Sequence, residues 1–111
     1  MSLQLFGLLI SLLVETPVVL AVPRLLHWAS HRQRLWLLAP GVTLLTHPLA
    51  WGVNMELIHL SPLLRLPAIE LAVVAIEGLI LGLLGGLGIR RGAALSLTAN
   101  ASSFLLGLVM L

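Results

Sequence analysis

Three glutamates of this 111-residue chain stand inside long apolar runs: Glu15 in LLISLLVETPVVL, and Glu70 and Glu77 in AIELAVVAIEGLI. A carboxylate in such surroundings must take up a proton, pair with a cation, or face water. Left ionised at the centre of a bilayer it costs about 2.5–3.5 kcal/mol on insertion scales. Glu70 precedes Glu77 by two helical turns, about 10 Å along the axis and on nearly the same face. His47 stands between Thr46 and Pro48 in another apolar run, and Asn100 in a further one. Glu15, His47, Glu70, Glu77 and Asn100 thus form a candidate polar ladder inside a membrane, an ion or ligand site. Two readings stand. In one, these groups hydrogen-bond across helices and hold a bundle in register, at about 0.6–2 kcal/mol each. In the other, the ladder carries protons or cations, or binds a ligand.

Metal chemistry has weaker support. His47 with Glu15, Glu70 or Glu77 would offer imidazole and carboxylate donors of the kind zinc, manganese or iron accept. No His-x-x-x-His or Glu-x-x-His pair accompanies it. His47 as an axial ligand to haem or chlorophyll has less still to recommend it. His27 and His31 have a metal-capable spacing only if their segment is helical; otherwise they are solvated. His59 reads as a loop residue. No catalytic constellation is visible: Ser102 and Ser103 have no recognisable base, and no cofactor is implied. Gly86-Leu-Gly88 has neither the spacing nor the preceding strand of a dinucleotide fingerprint. The sequon at Asn100 lies inside an apolar run.

The elements that position these residues follow from composition. The chain is 59% hydrophobic and 9% charged, against about 25% charged in soluble domains. Lipid must be the solvent for most of its surface. The net charge of +2 is too small to indicate a nucleic-acid partner. Without cysteine there are no disulfides and no thiolate sites. Runs of about 20 apolar residues predict four membrane-spanning helices over about 3–22, 35–53, 67–89 and 93–111, one all-α domain covering 1–111. The start MSLQLFGLLI lacks the basic region of a cleavable signal peptide, so the first run is expected to be a retained span. Pro67 is placed at a helix start, and Arg90, Arg91 and Gly92 at a tight turn. The stretch 57–66 reads as an interfacial or re-entrant piece. No internal repeat is evident.

Arg24, Arg32 and Arg34 in the first loop, and Arg90 and Arg91 in the third, predict that these loops are cytoplasmic and both termini non-cytoplasmic. Trp28 and Trp36 flank the first loop, and Trp51 stands near the opposite interface. Gly78, Gly82 and Gly86 form a GxxxGxxxG stripe, a glycine zipper that lets another helix approach. Its partner is either the Ala99–Ser103–Gly107 stripe or another subunit. Leu81 is expected to face lipid. Pro17 and Pro48 fall beside Glu15 and His47 and are expected to bend their helices there.

In size, four spans and a glutamate in the first span, the chain resembles the small multidrug resistance transporters. It departs from them in having no tyrosine, a late Trp51 and additional glutamates in the third span, so it is not placed among them. The reading that leads is a non-enzymatic polytopic protein of the plasma (inner) membrane. It would be a structural or accessory subunit of a homo-oligomer or larger membrane complex, its partners being the bilayer and either itself or other subunits. The alternative is a small oligomeric proton- or cation-coupled transporter using the buried glutamates. An intramembrane enzyme ranks third.

Overall fold

A computed structural model describes residues 3–110 and shows an all-helical bundle: α1 (Leu3–Leu25), α2 (Arg32–Glu56), α3 (Pro62–Leu84) and α4 (Ile89–Met110). Each helix packs against two neighbours in a closed ring, α1 on α2, α2 on α3, α3 on α4 and α4 on α1. The connections are short, so neighbours run antiparallel. The 26–31 and 85–88 turns meet at one end, where the His31 N–H donates to the Gly85 carbonyl at 2.8 Å. The 57–61 turn, the start of α1 and the end of α4 share the other.

Helices α1, α3 and α4 are long and apolar enough to cross a membrane. They expose large side chains such as Leu13, Leu63 and Val109 to the surroundings, as a lipid-solvated surface requires. The expectation of four spans is met for these three. Helix α2 is longer, but Thr43, Thr46, His47, Pro40 and Pro48 dilute its apolar character.

Helix boundaries differ from expectation because polarity marks a membrane edge, whereas capping marks a helix end. α3 begins at Pro62, not Pro67: Ser61 is its N-cap, its hydroxyl accepting from the Leu63 N–H at 3.3 Å. Residues 62–66 are therefore the first turn of α3 rather than a separate piece before it. Arg65 is buried there; its Nε donates to Asn54 Oδ1 at 2.6 Å and its Nη1 to the carbonyls of Ile58 and Leu60. It ties the end of α2 to the start of α3. The tight turn is 85–88 rather than 90–92, with Arg90 and Arg91 already in α4. Gly86 and Gly88 have φ of 75° and 88°, a region L side chains avoid. The 26–31 segment is not helical, so the i,i+4 spacing of His27 and His31 does not put them on one helix face.

The glycine stripe also packs differently. Gly78 and Gly82 meet the beginning of α4, not Ala99–Ser103–Gly107. A Cβ on Gly78 would stand 3.0 Å from the Ala93 Cα, and one on Gly82 2.6 Å from the Gly88 carbonyl oxygen. Gly86 lies beyond the helix against the His31 ring. Leu81 does not face lipid: it is 1% exposed. With Val19, Leu35, Ala39, Leu87, Leu95 and Ala99 it forms an apolar core in the half of the bundle near the 26–31 and 85–88 turns.

Candidate functional site

The other half of the bundle is not filled. A cavity of about 220 Å³ lies between the four helices and is lined by Glu15, His47, Glu70, Glu77 and Asn100, all five candidates of the sequence. It runs from Glu15 and Asn100 past Gly7, Ala50 and Leu108, toward the end where α1 begins and α4 ends. The apolar core closes its other side.

Glu15 and Glu77 stand at the head of the cavity on helices across the ring from each other. Each is buried, and each takes a hydrogen bond from both helices between them. Thr43 of α2 donates to Glu15 Oε1 at 3.3 Å, and Ser103 of α4 to Oε2 at 2.6 Å. Thr46 of α2 donates to Glu77 Oε2 at 2.5 Å, and Asn100 of α4 donates through Nδ2 to Oε1 at 2.6 Å. Ser96 supports Asn100: its carbonyl accepts from Nδ2 at 2.8 Å while its hydroxyl donates to the Val74 carbonyl of α3. All four carboxylate oxygens are thereby satisfied by neighbouring helices.

Proton counting shows what this arrangement can do. A hydroxyl has one proton to give. Thr46 Oγ1 also lies 2.8 Å from the Val42 carbonyl, and Ser103 Oγ 3.1 Å from the Asn100 carbonyl. Each hydroxyl has two acceptors in reach and can serve one. A proton added to Glu77 Oε2 would reverse the first bond: the carboxyl donates to Thr46, and Thr46 donates to Val42. The same holds for Glu15, Ser103 and Asn100. Both clusters have a geometric place for a further proton.

Lower in the cavity, Glu70 is half-buried and makes no hydrogen bond among the described residues. His47 Nδ1 is buried and likewise has no partner there. The ring lies against α1 where Gly7 leaves room, its Nε2 3.3 Å from the place a Cβ would occupy. Glu70, Asn100 and Phe104 also border an apolar groove between α3 and α4, so this side of the cavity is thinly walled. Among the described residues no three His or acidic side chains are placed to hold a metal ion.

Neither protein-family models, nor curated proteins, nor solved structures match the chain.

Sequence reasoning missed Thr43, Thr46, Ser96 and Ser103. Their spacing carried the signal: Thr43 and Thr46 are one turn apart, and Ser96, Asn100 and Ser103 fall on one face of α4.

Proposed function

We propose that this chain is a four-span integral membrane protein that takes up and releases protons through its central cavity, as part of proton- or cation-coupled transport. The observation that carries this reading is the pair of carboxyls, each with a place for one more proton, at the head of a cavity open toward one end of the bundle. No arginine lines the cavity. A charged carboxylate there has no arginine beside it, which leaves a proton or a mobile cation to balance it. Glu70 and His47, unpartnered on the way in, are the relay between that end and the two buried acids.

Helix α2 is the fourth span. It lies between α1 and α3 over the same depth, turns Thr43 and Thr46 inward, and exposes Trp36, Leu37, Leu44, Leu45 and Leu49. The arginine-rich turns face the cytoplasm and both termini the opposite side, so the cavity opens away from the cytoplasm. The thin wall between α3 and α4 is where a second copy or another subunit would close the chamber.

A second reading, a structural or accessory subunit, is supported by the complete pairing of Glu15 and Glu77 across the helices. Under it the carboxyls are cross-links only. Reconstitution separates the two: vesicles containing the protein, given a pH gradient and an internal pH dye, are expected to lose the gradient faster than protein-free vesicles. Equal rates, with the protein alone and with any co-purified subunit, would overturn the transport reading and leave the structural one.

A further inference from the structure

At the opposite end of the bundle the chemistry is reversed. Arg24, Arg32, Arg34, Arg90 and Arg91 gather around the 26–31 and 85–88 turns, and none of the four Glu lines the cavities there. Two of these arginines have internal partners. Arg34 donates through Nη1 to the Leu84 carbonyl at the end of α3, and the Arg91 guanidinium lies over the Trp28 ring, 5.4 Å from its centroid. Arg24 and Arg32 are exposed and have no hydrogen-bond or ion-pair partner among the described residues.

Both line a polar cavity of about 270 Å³, with His27 and Ser30. Arg32 is also the first residue of α2, and among the described residues no side chain caps that helix: His31, the N-cap, makes no side-chain hydrogen bond to it. The first-turn N–H groups of an uncapped helix carry a partial positive charge and lack acceptors. Arg24, Ser30 and Arg32 also border a shallow crevice with Leu20, Leu35 and Trp36. The polar cavity thus continues into an apolar surface that descends along α1 and α2.

We infer that this cavity binds the phosphate of an anionic phospholipid. The headgroup phosphate lies between Arg24 and Arg32 at the start of α2, and an acyl chain follows Leu20 and Trp36. Two free guanidiniums and an uncapped helix start fit a phosphate group. The apolar crevice argues for a lipid rather than a soluble phosphate, and the cytoplasmic leaflet, where this end is proposed to lie, is the one rich in anionic lipid. The inference rests on the chain lying in a membrane, not on transport through the other half.

Native mass spectrometry of the detergent-purified protein tests it, with phosphatidylglycerol, phosphatidylcholine and inorganic phosphate as probes. Phosphatidylglycerol should bind in preference to phosphatidylcholine. The double variant Arg24→Gln/Arg32→Gln should lose about 10- to 30-fold in phosphatidylglycerol affinity, given about 1 kcal/mol for each surface arginine. Arg90→Gln, which removes a charge from the same end but outside the cavity, should lose much less than either Arg24→Gln or Arg32→Gln alone. Inorganic phosphate that competes fully with the lipid would keep the phosphate site and reassign its occupant to a soluble phosphate. Wild-type lipid affinity in the double variant, or an equal loss in Arg90→Gln, would overturn the proposal. All three positions are exposed, and thermal unfolding of each variant checks that folding is intact.

Discussion

Thr43, Thr46 and Ser103 each join helices through a single hydroxyl proton, and this makes each one testable. Thr46→Val keeps the shape of the side chain but removes the donor to Glu77. It should lower stability in detergent by about 0.6–1.7 kcal/mol, the range for hydrogen bonds between membrane helices. Ser103→Ala should do the same at Glu15. Ser102→Ala is the internal control: that side chain is half-buried and, among the described residues, bonds only the Thr98 carbonyl of its own helix, so its loss should be nearly neutral. Equal small losses at all three positions, read by thermal or denaturant unfolding, would mean the bridges hold nothing. The acids, the imidazole and the amide were legible in the sequence because each is costly in an apolar run. The hydroxyls were legible only through their spacing, because Ser and Thr commonly bond the carbonyl one turn back on their own helix. Residue type alone does not distinguish that use from a bridge, and here Thr46 and Ser103 each have both acceptors in reach.

At the scale of the element, the number, kind and order of the helices followed from hydropathy, but their ends did not. Pro67 looked like a helix start because proline favours that position, yet Pro62 occupies it with Ser61 as cap. Arg65 falls in the stretch 57–66 that reads as interfacial or re-entrant, yet it is buried as a clamp on the end of α2, a role that needs the turn already in place. The glycine stripe was visible as a close-approach face, but its partner was not, since that depends on where the chain turns. With the turn at 85–88, Gly78 and Gly82 meet the first residues of α4. Gly82→Leu should therefore prevent normal packing, because even a Cβ there meets the Gly88 carbonyl. Leu83→Ala, at a position 64% exposed, should change little. Gly88→Ala has open space for its methyl but a positive φ, so it should cost about 1–2 kcal/mol from backbone strain alone. Unfolding of the three variants in one detergent gives the ranking; a tolerated Gly82→Leu would contradict this packing.

For the molecule as a whole, the division into an apolar half and a polar half is the feature on which the proposed function rests. The sequence placed the polar residues at neighbouring depths; it did not show that the space between them is left open while the other half is filled by Leu35, Leu81 and Leu95. Orientation is a separate claim. Cysteines introduced at Arg32 and Arg90 should be unreactive to an impermeant maleimide added outside intact cells and reactive after permeabilisation, whereas one at His59 should label from outside. The reverse pattern would invert the protein and the direction its cavity faces. The central claim is that Glu15 and Glu77 carry protons rather than only join helices, and Gln tests it, since Gln keeps a donor and an acceptor in nearly the same shape as the protonated acid. The most direct measurement is proton flux into vesicles containing wild-type protein, Glu77→Gln or Glu15→Gln, each first shown by size and thermal unfolding to fold and assemble normally. The account predicts that both variants assemble like the wild type and lose its flux; folded variants that carry protons at the wild-type rate would contradict it.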